Sequence, residues 1–205
     1  GQNLERQAAA AIKDWVKAGG TIYATAGAAR KDEFDAPLTD LDEVFGRGKQ
    51  VSYERYRGPL RARIELIWQK PLDQLKLDDG RTVKVLCSRE QFAADQAVKV
   101  LGTYQDGQPA WIENAFGKGK AFYTGALPAQ AYIQAALPVT PAGKGGSQQS
   151  PWMTEYLGTD AAAASVILRA AAAAGINPET VASAPGIVCS LLRSPQSTVV
   201  TVVNL

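Results

Sequence analysis

The 205-residue sequence contains no histidine, only two cysteines and a single methionine. The absence of histidine excludes Ser-His-Asp and Cys-His catalysis, because both need an imidazole that takes and returns a proton near neutral pH. It also removes the commonest neutral ligand of catalytic zinc, and two cysteines alone cannot hold that metal. The sequence therefore predicts neither a histidine-dependent hydrolase nor a zinc site, and we expect no bound cofactor.

An excess of charge and long apolar runs are lacking as well. There are 22 Lys and Arg residues against 20 Asp and Glu, a net charge of +2 with no sustained run of either sign. This balance argues against dedicated nucleic-acid binding. The alanine-rich stretch 161–174 is too short for a bilayer, which needs ~20 apolar residues. We therefore expect no nucleic-acid and no membrane partner.

The cellular compartment is left open by the sequence. The opening residues lack the charged and apolar regions of a signal peptide. Cys87 and Cys189 both lie in predicted strands, so a disulfide is conceivable, but we expect two small buried thiols. Neither feature indicates an oxidising or a reducing environment.

The first part of the chain has the pattern of an α/β unit. Residues 3–18 place apolar side chains at helical spacing, with charged residues between them. Gly19 and Gly20 end this helix, and the apolar run Thr21 to Ala26 follows directly as a strand that ends at Gly27. Residues 28–37 form a polar loop, and Leu38 to Phe45 predicts one or two helical turns before Gly46.

From about residue 51 to 104 the pattern changes to short strands. Alternating segments at 64–68, 75–77, 82–86 and 98–101 predict strands, and Asp78-Asp79-Gly80 predicts a hairpin between two of them. Residues 98–125 predict an antiparallel meander of three strands. We interpret 51–104 as a β-rich insertion in, or extension of, the sheet.

The last part of the chain predicts a loop, a helix and two strands. Residues 142–150 are low in complexity and predict a loop, and Asp160 to Ala174 predicts a helix that Gly175 ends. Residues 187–193 and 198–203 predict strands around a turn. We expect an α/β domain over residues 1–180 and the start of a C-terminal β domain over 181–205.

Two glycine-rich motifs invite interpretation as phosphate loops. A phosphate loop needs backbone N–H groups at the start of a helix. Gly117-Lys118-Gly119-Lys120 is followed by strand-like residues, which favours a hairpin turn. Residues 143–147 (GKGGS) follow no apolar strand and lack Ser or Thr directly after the lysine. We reject both as nucleotide sites.

Acidic and aromatic residues are the remaining candidates. Asp32, Glu33 and Asp35 follow the first strand, where open α/β sheets bind ligands, so an acid–base or metal role is one hypothesis and a solvated loop the other. Trp111, Trp152 and Tyr156 could stack on a sugar or fill a partner's pocket, although aromatics in strands more often lie in a core. Trp152 and Tyr156 are the better candidates for exposure.

Several segments together resemble a known family. They are Trp15 to Tyr23 (WVKAGGTIY), Leu41 to Gly46 (LDEVFG), Val100 to Tyr104 (VLGTY) and Asn114 to Gly125 (NAFGKGKAFYTG). The first resembles the helix, Gly-Gly and buried strand of the glutamine-amidotransferase-like superfamily. Within it, the chain is most similar to the β-galactosidase trimerisation domain of family 42 glycoside hydrolases. The likeness covers most of residues 4–205 and rests on turn glycines and apolar strands.

The resemblance implies a flavodoxin-like, layered α/β sheet of the class I glutamine-amidotransferase type, without that reaction. Active amidotransferases carry a cysteine on the turn after such a strand, with a histidine further on. In this chain the turn is Thr25-Ala26-Gly27, and histidine is absent. The first strands of that fold are expected ahead of Leu4, so the resemblance also implies that this chain is part of a larger polypeptide. The catalytic (β/α) barrel would be a separate domain of that polypeptide.

The function that we predict is a non-catalytic structural module of a larger, carbohydrate-active, bacterial-type protein. Its expected partners are sister domains of the same polypeptide and further copies of itself in a homo-oligomer. Two alternatives remain open at this point. One is a carbohydrate-binding module that uses exposed aromatic side chains, and the other is a hydrolase with a carboxylate site near Asp32 and Asp35.

Overall fold

A computed structural model describes residues 1–56, 70–134, 160–183 and 187–204. The helices are α1 (Arg6–Lys17), α2 (Asp42–Phe45), α3 (Pro128–Gln134) and α4 (Ala161–Ala173). The first five strands are β1 (Thr21–Ala24), β2 (Arg47–Arg55), β3 (Asp73–Leu77), β4 (Thr82–Val85) and β5 (Ser88–Ala94). The other five are β6 (Lys99–Thr103), β7 (Pro109–Phe116), β8 (Gly119–Thr124), β9 (Ile187–Arg193) and β10 (Thr198–Asn204).

A six-stranded mixed sheet organises the first two thirds of the chain. Its strand order is β1-β8-β7-β6-β3-β4. Only β1 and β8 pair in parallel, and every other neighbouring pair is antiparallel. The predicted meander is confirmed as β6-β7-β8, and the predicted Asp78-Asp79-Gly80 hairpin joins β3 to β4. The β-rich segment thus contributes β3, β4 and β6 to the same sheet as β1.

The two faces of this sheet are both covered, because neighbouring residues of a strand point to opposite sides. In β8, Phe122 packs in a cluster with Leu101 and with side chains of α3 and α4. Its neighbours Ala121 and Tyr123 pack in a second cluster with Val16 of α1 and with α2. The sheet lies between two helical layers, but most of its strands run antiparallel, which differs from the flavodoxin-like sheet that the resemblance implies.

The Gly-Lys-Gly motif is a turn that packs against α1. It joins β7 to β8, and a Cβ atom at Gly119 would lie 2.1 Å from the Val16 carbonyl oxygen. A Cβ at Gly117, where φ is +60°, would lie 2.5 Å from the Lys17 carbonyl oxygen. The motif therefore allows the end of α1 to approach the sheet, and the prediction of a hairpin is confirmed.

A second sheet, of two strands, is not among the elements that the sequence predicts. It pairs β2 with β5 in antiparallel fashion, with irregular register near Gln50. Short α2 precedes β2 and ends at Gly46, which has a left-handed φ of +65°. Among the described residues, Cys87 lies between β4 and β5 and Cys189 in β9, and no disulfide joins the two. Both are half-buried, so the prediction of two buried thiols in strands is wrong for their burial and for the place of Cys87.

The C-terminal segments agree with their predictions. Asp160 caps α4 by accepting a hydrogen bond from the Ala163 N–H at 2.8 Å, and Gly175 follows the helix with φ +71°. Strands β9 and β10 form a hairpin in which Val199 faces Leu192 and Val202 faces Cys189. In the described ranges no helix has the length and apolarity needed to cross a bilayer. The predicted strand 64–68 and loop 142–150 lie outside those ranges.

Candidate functional site

The turn after β1 is the place where the resemblance to the amidotransferases predicts a degenerate nucleophile turn. Residues Thr25, Ala26 and Gly27 follow the strand, and the Thr25 carbonyl accepts a hydrogen bond from the Ala28 N–H at 3.0 Å. Gly27 has φ +75°, and a Cβ added there would lie 3.0 Å from the Tyr53 hydroxyl. A residue with a side chain is disfavoured at this position both by the backbone conformation and by the lack of space.

The carboxylate of Glu90 occupies the space beside this turn. Glu90 lies in β5 and is fully buried. Its Oε2 accepts hydrogen bonds from the Gly27 N–H and from the Tyr123 hydroxyl, the latter at 2.5 Å. The backbone donor of the turn is therefore already bound to a carboxylate that belongs to the chain itself.

Two arginines balance the buried negative charge. Arg30 donates from Nε to Glu90 Oε1 at 2.9 Å and from Nη1 to Asp42 Oδ1 at 3.0 Å. Arg47 donates from Nε to the same Asp42 oxygen at 3.0 Å. The guanidinium of Arg47 also lies over the ring of Tyr123, 4.3 Å from its centroid. We call Arg30, Asp42, Arg47, Glu90 and Tyr123 the corner network.

The corner network carries two positive and two negative charges, so its formal charge is zero. Burial raises the pKa of the Asp42 carboxyl, and the neighbouring guanidinium groups of Arg30 and Arg47 oppose that rise. Burial also raises the pKa of the Tyr123 hydroxyl, with Glu90 adding to the effect. Tyr123 therefore stays protonated and donates to Glu90. The arrangement holds three segments of the chain together and offers no activated nucleophile.

The acidic loop after β1 has a second buried carboxylate, that of Asp32. Asp32 is 2% exposed, and its Oδ1 accepts hydrogen bonds from the backbone N–H groups of Phe34 at 3.0 Å and Ala36 at 2.8 Å. Its Oδ2 accepts from Arg6 Nε at 3.0 Å. Burial alone would raise the pKa of Asp32, but these hydrogen bonds outweigh it and hold the pKa below its usual range.

Asp35 and Glu33 lie on the exposed side of the same loop. Lys31 lies 2.7 Å from Asp35, and its hydrogen bond lowers the pKa of that carboxyl. Glu33 accepts a hydrogen bond from the Arg6 N–H at 3.1 Å. Asp32 thus pairs with Arg6 and Asp35 with Lys31, so the two carboxylates do not converge on a common site. Within the described ranges no group of three or more metal-ligating side chains occurs.

The aromatic candidates fall into two groups. Trp111 lies in β7 with 4% of its surface exposed, among the apolar residues of the sheet. Its place in the core leaves no open platform for a sugar ring, because α3 and α4 cover the side of the sheet from which Trp111 projects. Trp152 and Tyr156 lie outside the described residues, and a binding role for them stays a prediction.

The corner network itself is the part of the site that sequence reasoning misses. Glu90 stands between Ser88 and Phe92, and all three are buried on one side of β5. A charged residue on the apolar side of an alternating strand is the signal that could have pointed to a buried ion pair. Its partners come from loops and from β2 and β8, which sequence spacing does not bring together.

The comparisons with known proteins begin with family models. The model described as the β-galactosidase trimerisation domain matches residues 2–139. The chain belongs to this family. A comparison with curated protein sequences finds no matching relative.

Solved structures show the same fold in larger enzymes. A catalytic mutant of a GH42 β-galactosidase from G. stearothermophilus superposes with a TM-score of 0.65 at 18% identity, over 99% of this chain and 25% of that one. A β-galactosidase from Bacillus circulans sp. alkalophilus gives 0.64 at 14% identity, over 99% and 26%. One from Rahnella sp. gives 0.53 at 17% identity, over 93% and 24%. The chain therefore spans about a quarter of the length of these galactosidases.

The family assignment confirms the resemblance to the trimerisation domain of family 42. The fold is mixed and sheet-rich, similar to that of the GH42 galactosidases, whereas the flavodoxin-like, amidotransferase-type sheet that the resemblance implies stays a prediction. The trimerisation domain is a non-catalytic module of a larger protein, so the prediction that this chain has a structural function and no reaction of its own is also confirmed.

Proposed function

We propose that this domain forms a trimer and thereby fixes the relative positions of catalytic domains in a carbohydrate-active, β-galactosidase-like protein. Membership of the trimerisation-domain family is the observation that carries the proposal. The rigid sheet with two covered faces supports it, because a domain that positions others must itself keep one shape. The expected partners are sister domains of the same polypeptide and two further copies of the chain.

The molecular mass in solution tests this proposal. One chain has a mass of 21.8 kDa, so light scattering on the eluting protein should give about 65 kDa, three times that value. A mass that stays at that of one chain throughout the micromolar range would contradict self-association through this domain. A mass twice that of one chain would replace the trimer with an isologous dimer.

We further propose that the fold descends from the glutamine-amidotransferase-like superfamily and that its reactive corner has become structural. The parallel pairing of β1 with β8 and the glycine turn after β1 support the likeness. The hydrogen bond from the Gly27 N–H to Glu90 supports the loss of reaction, because a donor held by an internal carboxylate does not serve an oxyanion.

The proposed domain division places residues 1–180 in the layered domain and 181–205 at the start of a further β domain. The hairpin β9–β10 supports it. Val199 and Val200 are neighbours that point to opposite sides of the hairpin, and they are 53% and 52% exposed. A two-stranded hairpin with apolar residues exposed on both sides is at best marginally stable by itself, so we assign it to a larger β structure.

A further inference from the structure

The loop after β1 displays an aromatic side chain. Phe34 is 84% exposed, the highest value among the described large apolar side chains. A phenylalanine so far from any core buries almost none of its apolar surface within its own chain. Exposed aromatic side chains of this kind are typical anchors of protein–protein contacts.

The loop is built so that Phe34 is held in one place. The Asp32 carboxylate binds the N–H groups of Phe34 and Ala36, and the Asp32 N–H donates to the Ala36 carbonyl at 2.8 Å. The side chain of Asn3 donates to the Asp32 carbonyl at 3.0 Å. A loop fixed from both sides loses little conformational entropy when it binds, which favours affinity.

A cavity of about 460 Å³ opens next to this loop. Its volume is ample for a phenyl ring and lies within the range of ordinary binding pockets. Apolar atoms make up most of its wall. The lining residues that matter here are Pro37, Leu38, Thr39, Gly48, Lys49 and Gln50.

Loop and cavity are also complementary in charge. The loop carries Glu33 and Asp35 on either side of Phe34, and both are exposed. Lys49 is exposed at the cavity. The charged side chains of the whole cavity wall carry a formal charge of +1 and are Arg30, Lys31, Lys49, Asp35 and Asp42. A second loop that brings Glu33 and Asp35 therefore meets a wall of opposite net charge, which favours its approach.

We propose that Phe34 of one copy enters the cavity of the next copy, so that three copies close into a ring. This inference rests on the proposed trimer and names its contact surfaces. A ring of three needs a heterologous contact, in which each copy offers two different patches. The Phe34 side chain and the cavity are two such patches, and they adjoin each other, because Lys31 and Asp35 of the loop line the cavity.

The first test compares Phe34→Asp with Val181→Asp. Val181 is 81% exposed but lies after α4, outside both patches, which makes it a matched control. We expect light scattering to give the mass of a trimer for the wild type and Val181→Asp, and that of one chain for Phe34→Asp. Circular dichroism should show the same folded spectrum for all three, because both side chains are exposed. The two trimers should melt at a higher temperature than Phe34→Asp, since association stabilises the folded chain.

The outcomes separate the two proposals. A wild type that is monomeric contradicts the proposed trimer and this contact with it. A trimeric wild type with a trimeric Phe34→Asp variant overturns only the contact. Loss of the trimer in Val181→Asp as well also overturns the contact, because any added charge would then have the same effect.

A mixing experiment tests the heterologous geometry and remains decisive if Phe34→Asp folds poorly. Thr39→Trp fills the cavity with a side chain at an exposed position, leaving the Phe34 loop intact. By itself this variant should be monomeric. Mixed with Phe34→Asp, it should give a heterodimer, since one loop and one cavity remain able to meet. A trimeric Thr39→Trp variant, or a mixture of two folded variants that stays monomeric, would contradict the proposal.

Discussion

The corner network and the Phe34 loop both lie beyond the C-terminal end of β1. Each is built around a buried carboxylate that accepts hydrogen bonds from backbone N–H groups. Glu90 accepts a hydrogen bond from the Gly27 N–H and belongs to a network in which the positive and negative charges are equal in number. Asp32 holds the N–H groups of Phe34 and Ala36 and is paired with Arg6, which is half exposed. The same kind of hydrogen bond thus fixes a buried turn in the corner network and an exposed side chain in the Phe34 loop.

The proposed contact gives the two regions different functions, stabilisation of one chain by the corner network and binding of a neighbouring copy by the Phe34 loop. The corner network is largely buried, although Arg30 and Asp42 also line the cavity beside the loop, and its removal should affect folding. The Phe34 loop leaves its largest apolar group in water, which contributes nothing to the stability of one chain. We therefore expect substitutions in the two regions to alter different measurable quantities.

The largest expected effect is that of Glu90→Gln. The amide keeps the shape of the side chain but leaves the two guanidinium groups of Arg30 and Arg47 with a single carboxylate, that of Asp42. Breaking one partner of a buried ion pair costs about 3–5 kcal/mol of unfolding free energy. Denaturation with urea, followed by circular dichroism, measures it.

The control for Glu90→Gln is Glu43→Gln, which removes a carboxylate from an exposed pair with Lys13. Exposed pairs contribute little, so this variant should unfold at nearly the same urea concentration as the wild type. Equal stability of the two variants would show that the corner network does not hold the fold. A double-mutant cycle with Arg30→Gln should show strong coupling to Glu90.

A smaller effect, dependent on pH, is expected for Asp32→Asn. The folded state holds the pKa of Asp32 below its unfolded value of about 3.9, so the ionised group stabilises the fold above that pH. This contribution is lost as the pH falls through the folded pKa. The difference in stability between wild type and variant should therefore shrink under acid conditions.

The comparison must be made between the two proteins at each pH, because other groups titrate in the same range. Burial raises the pKa of Asp42, so its contribution to stability has the opposite sign and declines as the pH rises. That contribution is common to both proteins and cancels. A difference between wild type and Asp32→Asn that is constant from neutral to strongly acid pH would contradict the role given to the Asp32 carboxylate.

The smallest effect is expected from removal of residues 181–205. The proposed division assigns this segment to another β domain, so a chain that ends at residue 180 should keep the urea midpoint of the layered domain. A shortened chain with α4 still folded, as judged by its helical circular dichroism, would agree. A large loss of stability would place the hairpin β9–β10 within the layered domain's own core and contradict the division.

Local signals predicted most of the fold. The spacing of apolar residues in α1, the turn Asp78-Asp79-Gly80 and the cap at Asp160 each act within a few residues, and each is found where expected. The pairing of β2 with β5 joins residues about 40 positions apart and has irregular register, so no local pattern indicates it. Helix α3 is also absent from the sequence prediction.

The site was less accessible to sequence reasoning than the fold. The turn Thr25-Ala26-Gly27 was found because a glycine ends an apolar strand. The carboxylate that binds its N–H group, that of Glu90, comes from a strand more than 60 residues further along the chain. Asp32 was recognised as part of a loop, but its function as an acceptor for two N–H groups follows from the loop's conformation, which charge alone does not predict.

Sedimentation equilibrium of the wild-type chain over a wide range of concentrations tests the central claim most directly. A closed ring built from heterologous contacts predicts an equilibrium between one chain of 21.8 kDa and a trimer, without growth beyond three copies. A single species with the mass of one chain at every concentration would contradict the claim that this domain is made for self-association.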